Sequence, residues 1–106
     1  MQIVNMTPHP VHIVDEEGNI TKTYDMTTKT IRLAAQTVKH SVIDGIQITS
    51  TVYGEAEGLP EYDEGTYLIV SQLVKTALPE RKDLLVPAEV VRDSAGNIIG
   101  CRSLGI

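Results

Sequence analysis

A chain of 106 residues makes one domain with a single core, spanning residues 1–106, and leaves little room for separate substrate and regulatory lobes. Its formal charge of -5, from 9 basic and 14 acidic residues, excludes generic coating of nucleic acid or of an anionic membrane surface. A small anionic ligand held by a few local cations is still allowed.

The chain has no Trp and no Phe, only 4 tyrosines, so the core must be built from Ile, Val and Leu. Each of these supplies about 1.5–3 kcal/mol when fully buried. Burial between subunits would help so small a domain, and a homo-oligomer is expected. There is no long apolar run and no signal-peptide pattern, so a soluble, cytoplasmic protein is expected. The single Cys101 excludes an internal disulfide framework and fits a reducing compartment.

In chain order, Gln2 to Asn5 reads as a short opening strand. Thr7-Pro8-His9-Pro10 then forces extended or turn backbone, because each proline fixes its own φ and biases the residue before it. Val11 to Val14 alternates as a half-buried strand. Asp15 to Asn19 (DEEGN) is a turn, and Ile20 to Tyr24 returns as the second arm of a hairpin. Thr30 to Leu33 predicts a further strand. Val38 to Ile43 and Ile46 to Tyr53 flank Asp44-Gly45, a two-residue hairpin signal. In the second of these, Ile46, Ile48 and Val52 face one way and Gln47, Thr49 and Thr51 the other.

Gly54 to Gly65 reads as a loop carrying five acids. Thr66 to Val70 follows, with a continuous apolar run that predicts a strand buried on both faces. The hydrophobic period then changes to that of a short helix, capped by Ser71 and ended by Pro79. Val90 to Arg92 and Ile98 to Ser103 flank Asp93 to Asn97 (DSAGN), a last hairpin. The fold class is α+β, mostly β: an antiparallel-rich sheet or small barrel of hairpins with one short helix.

No catalytic signature stands out. Ser71 lacks the G-x-S-x-G elbow, and neither G-x-G-x-x-G nor Walker A occurs. Cys101 falls inside a strand and reads as a buried structural thiol. No HxH, HExxH or Cys/His spacing predicts zinc, so no metal or cofactor is expected. The loop acids Glu55, Glu57, Glu61, Asp63 and Glu64 match no calcium motif and read as a solvated loop. His9, held between two prolines, is either a contact residue or part of a rigid connector.

Small-ligand binding is the chemistry the side chains fit best. Arg32, Arg81, Lys82, Arg92 and Arg102 lie at or near strand ends and turns, where a guanidinium fork suits phosphate or purine edges. Tyr53 and Tyr67 flank the acidic loop and offer faces on which a base can stack. Ser71 and the first helical amides offer donors to a phosphate, with His9 adding a hydrogen bond. For each residue the alternative is a surface salt bridge or a packed tyrosine, and Arg81 has Asp83 close by as a local partner.

Four segments carry a resemblance: IVNMTPHPVHI from Ile3, VYGEAEGLPEYDEGTYLIVSQLV from Val52, ALPERKDLLVP from Ala77 and VVRDSAGNIIGCRSL from Val90. They resemble short phage- and prophage-encoded proteins that open with an N-x-T-P-H-P segment. Among small phage proteins without catalytic motifs, the chain looks like an anti-CBASS sponge. Such proteins sequester a nucleotide messenger of bacterial immunity, a cyclic dinucleotide such as 3'3'-cGAMP, without turning it over. The resemblance implies a symmetric oligomer in the host cytoplasm, with ligand pockets at subunit interfaces. The alternatives are a protein-interaction or virion-accessory module with no small-molecule ligand, and a phosphodiesterase that cleaves the same messenger.

Overall fold

The computed structural model describes residues 1–27 and 31–106. The predicted strand at Thr30 to Leu33 therefore lies partly outside the described residues. The elements are β1 (Gln2–Asn5), β2 (Val11–Val14), β3 (Ile20–Tyr24), β4 (Arg32–Ile43), β5 (Ile46–Glu57), β6 (Thr66–Ile69), α1 (Gln72–Ala77), β7 (Leu84–Arg92) and β8 (Ile98–Gly105). The fold is mostly β with one short helix, and antiparallel ladders hold most of the paired residues.

Six strands form one sheet in the order β1-β6-β7-β8-β2-β3, and β4 pairs only with β5 as a separate two-stranded ribbon. The hairpins predicted from DEEGN, Asp44-Gly45 and DSAGN are all present. Two of their turns use the same device. Asp15 Oδ1 accepts from the Glu17 and Asn19 amides, and Asp93 Oδ1 accepts from the Ala95 and Asn97 amides, each at 2.9 Å. Gly18 and Gly96 both sit at φ 86, where a side chain would be strained. Hydrogen bonds from the Asn19, Glu17 and Gly18 amides hold the Asp15 carboxyl below its ordinary range, the bond from Asn19 contributing most.

The sheet also contains parallel pairs, which local turn signals do not announce. β1 runs parallel to β6, β6 to β7, and β2 to β8. The β6–β7 pair is joined by the segment 70–83, which contains α1, because parallel neighbours need a crossover of about a dozen residues. Edge strand β1 meets the end of the other edge, where Asn5 bridges Met26 just past β3 and the Asn5 side chain donates to the Tyr24 carbonyl, so the sheet curls until its ends touch.

β6 lies between β1 and β7 and divides the core. Leu68 and Val70 pack with Met6, Val74, Leu84 and Val86 on one side, while Ile69 packs with Val11 and Cys101 on the other. The predicted strand buried on both faces is thus present. In α1, the Ser71 hydroxyl accepts from the Val74 amide at 3.3 Å, and the chain leaves the helix at Leu78 before Pro79.

Three expectations are corrected. The strands predicted at Thr30 to Leu33 and Val38 to Ile43 are not separate, because β4 runs unbroken from Arg32 to Ile43. The predicted loop from Gly54 begins later, because β5 continues to Glu57 opposite Arg32 through a bulge that accommodates Gly54. β7 starts at Leu84 rather than Val90. Pro87 argues against a central strand in sequence, but it sits just past Leu85, the last residue paired with β6, so its missing N–H leaves that ladder intact.

Candidate functional site

The N-x-T-P-H-P opening is a hydrogen-bonded structural unit. Asn5 is 2% exposed, and its amide nitrogen donates to the carbonyls of His9 at 2.8 Å and Tyr24 at 2.9 Å. Its Oδ1 accepts from the Thr7 amide at 2.9 Å. The Thr7 hydroxyl lies 2.6 Å from Asn5 Oδ1 and 2.9 Å from the His9 carbonyl, with one proton to give to either. Asn5 thereby fastens the proline segment and the end of β3 to β1. His9 presents its carbonyl to this network and its ring to solvent, where Nδ1 lies 3.3 Å from the Pro10 carbonyl.

The strand-to-helix junction does not gather an anion site. Ser71 lines a small hollow with Met6, Thr7, Pro8, Ile31, Val70 and Val74, none of them cationic. Arg81 is engaged elsewhere. Its Nε donates to Asp83 Oδ1 at 2.9 Å, and its Nη2 donates to Asp83 Oδ2 at 2.7 Å and to the Pro60 carbonyl at 3.0 Å. Asp83 is 3% exposed, so this fork neutralises a buried carboxylate and ties the 58–65 loop to the start of β7. The hydrogen bonds from Arg81 hold the Asp83 carboxyl below its usual range, and the same bonds raise the guanidinium.

The other predicted ligand residues are dispersed. Tyr53 stands on the β4–β5 ribbon opposite Ala35. Arg102 is exposed on β8, its Nη2 3.4 Å from the Glu16 carbonyl in the β2–β3 turn. Arg92 donates to the Gly96 carbonyl within its own hairpin at 3.0 Å. Cys101 is buried; burial pushes its thiol up, and Sγ lies 3.7 Å from the His12 carbonyl. Among the described residues, no three His, Cys, Asp or Glu side chains gather where a metal ion could be held.

Two of the predicted residues, Tyr67 and Lys82, do meet. They line a hollow of about 240 Å³ with Tyr62, Glu64, Thr66 and the Asp83 carboxylate that Arg81 neutralises. Tyr67 is also a wall of an adjoining hollow of about 670 Å³, lined by Gln2, Ile3, Lys22, Tyr24 and Leu85. In that second hollow the Lys22 ammonium lies over the Tyr24 ring, 5.1 Å from its centroid. The two hollows share Tyr67, and each includes a lysine and a further tyrosine in its lining. Such surfaces suit a planar heterocycle with anionic groups attached.

Tertiary pairing builds this place. Parallel pairing sets Ile3 beside Tyr67, and pairing of β6 with β7 sets Leu85 beside Ile69. Sequence reasoning missed Lys22, Tyr24 and Tyr62. The spacing of Lys22 and Tyr24 on one face of β3 was a usable signal, but nothing local brings β3 towards β6.

Compared with protein-family models, curated proteins and solved structures, the chain matches none of them. Among the described residues, no helix is long and apolar enough to cross a membrane.

Proposed function

We propose that this protein binds a nucleotide second messenger of bacterial immunity, of the cyclic dinucleotide class, and sequesters it without turnover. The observation that carries this reading is the pair of adjoining hollows that share Tyr67, one holding Lys82 and the other Lys22 and Tyr24. In this reading the bases stack against Tyr67 and Tyr24 while the phosphates meet the two ammonium groups. Base–aromatic stacking is worth about 1–3 kcal/mol per base, and each ammonium offers three donors. The resemblance of the four sequence segments to phage proteins supports the same class of ligand. Arg81, engaged by Asp83 and Pro60, serves the scaffold rather than the ligand.

Calorimetric titration against cyclic dinucleotides, cyclic trinucleotides and cyclic ADP-ribose isomers tests the proposal, with the ligand recovered afterwards by heat denaturation and chromatography. The expected result is binding below about 1 µM, equivalent to about 8 kcal/mol, with intact ligand recovered. Tyr67→Leu and Lys82→Ala should each weaken it at least about tenfold, which is 1.4 kcal/mol. Degraded ligand would make the protein an enzyme. No binding across the panel would overturn the nucleotide reading and leave a protein-interaction module, which the exposed β4–β5 ribbon favours.

A further inference from the structure

The β4–β5 ribbon is an arm. Each of its strands has 12 residues, so it extends about 40 Å at full length. The molecule measures 50 × 39 × 23 Å, with a Cα radius of gyration of 16.8 Å. A compact domain of this length has a radius near 13 Å, roughly. Almost every residue of the arm is exposed, and among the described residues it pairs with no strand of the six-stranded sheet.

Cross-strand partners share a face, so the register sorts the arm's side chains. Ile43 pairs with Ile46, Ser41 with Ile48, Val38 with Ser50 and Gln36 with Val52. These place Val38, Ile43, Ile46, Ile48 and Val52 on one side with Gln36, Ser41 and Ser50, and Thr37, Lys39, Gln47, Thr49 and Thr51 on the other with Val42 and Tyr53, so the first side is the more apolar. Ile43 and Ile46 at the tip are 61% and 63% exposed. An isolated two-stranded ribbon is at best marginally stable in water, and a long exposed apolar strand invites another chain.

The body carries a complement. A hollow of about 400 Å³ opens between β2, β7 and β8, lined by apolar groups that include Pro10, Val11, Pro87, Val90 and Ile98, together with His9 and His12. Val90 and Ile98 at this hollow are 45% and 61% exposed.

We propose that this arm docks on a second copy of the chain, its Ile43/Ile46 tip entering the hollow beside Val90 and Ile98, and that the second copy's arm docks in return. Area selects this occupant. One face of the arm covers about 400 Å². A single arm laid on a foreign surface therefore buries about 800 Å² in all, the size of a crystal-packing contact. Reciprocal exchange doubles this to about 1,600 Å², the standard size of a stable interface. Reciprocal exchange is also two-fold symmetric, so it closes as a dimer.

Sedimentation velocity of the full chain without nucleotide tests this independently of the ligand reading. The expected result is a dimer at micromolar concentration. Ile46→Asp on the arm and Ile98→Glu at the hollow should each weaken it about a hundredfold or more, with unchanged far-UV circular dichroism. Thr49→Asp on the polar face should leave it dimeric. Hydrogen exchange of the unaltered chain gives a second readout: arm amides should gain protection as concentration rises. A monomer at every concentration, a monomer that assembles only with a different protein, or a dimer indifferent to both substitutions would overturn the proposal.

Discussion

Strand β6 and the arm strand β5 are both rich in aliphatic residues, and their surroundings are opposite. In β6 the apolar residues are consecutive, and Leu68 and Ile69 are 3% and 0% exposed, packed into clusters on opposite sides of the sheet. In β5 they alternate with Gln and Thr, and Ile46 and Val52 remain 63% and 53% exposed. A consecutive apolar run marks a strand covered on both faces by its own chain. Alternation marks a strand with one face to be covered, and here the chain's own body does not cover it. The six-stranded body should therefore hold nearly all the folding energy of a single chain, while the arm should hold the energy of association.

Four changes test that division, in order of expected size. Leu84→Ala removes a side chain with 0% exposure from the body and should cost about 2–5 kcal/mol, read from the urea midpoint. Arg81→Ala leaves Asp83 buried without its fork and should cost about 2–4 kcal/mol, with greater protease sensitivity in the 58–65 loop it ties down. Gly100→Ala should cost about 1–3 kcal/mol, because an added Cβ would lie 2.8 Å from the His12 carbonyl and 2.7 Å from Val14 Cγ1. On the arm, Ile48→Thr should change monomer unfolding by less than about 0.5 kcal/mol. A larger loss there would mean that the arm is part of the body's cooperative unit.

The Asp83–Arg81 pair also gives the body an acid dependence. The carboxyl is held low in the folded state, so its contribution is fully present above the ordinary carboxylate value of about 3.9. It is lost as pH falls through that value towards the lower folded one. Urea midpoints measured from pH 7 down to pH 3 should fall more steeply for the unaltered chain than for Asp83→Asn. Parallel slopes would show that the pair adds no pH dependence.

The hairpins were legible because their signals are local. Asp44-Gly45 and the two D-x-x-G-N turns each contain their own donors, acceptors and positive-φ residue. The Ser71 cap and the Pro79 stop were legible for the same reason, since a helix end is decided within one turn. The run Leu68-Ile69-Val70 announced its burial without naming what would cover it. The candidate site was legible in only two residues. Tyr67 and Lys82 were singled out by type, but the partners that make a hollow around them come from β1, β3 and β7. Arg81 and Ser71 looked equally suited to a ligand. The buried Asp83 carboxylate and the Val74 amide took them, and such competition depends on burial that a linear pattern does not display.

Residue chemistry along the chain thus determined the turns, the cap, the amphipathic arm and the aliphatic core, each of which depends on neighbours a few positions away. Tertiary structure alone decided the parallel pairs, the meeting of the sheet's ends at Asn5, the hollows on either side of Tyr67 and the exposure of the arm's apolar face. Each of these depends on which distant segments share a ladder. That choice is made by the total burial and hydrogen bonding of the folded chain, not by any one segment's preference.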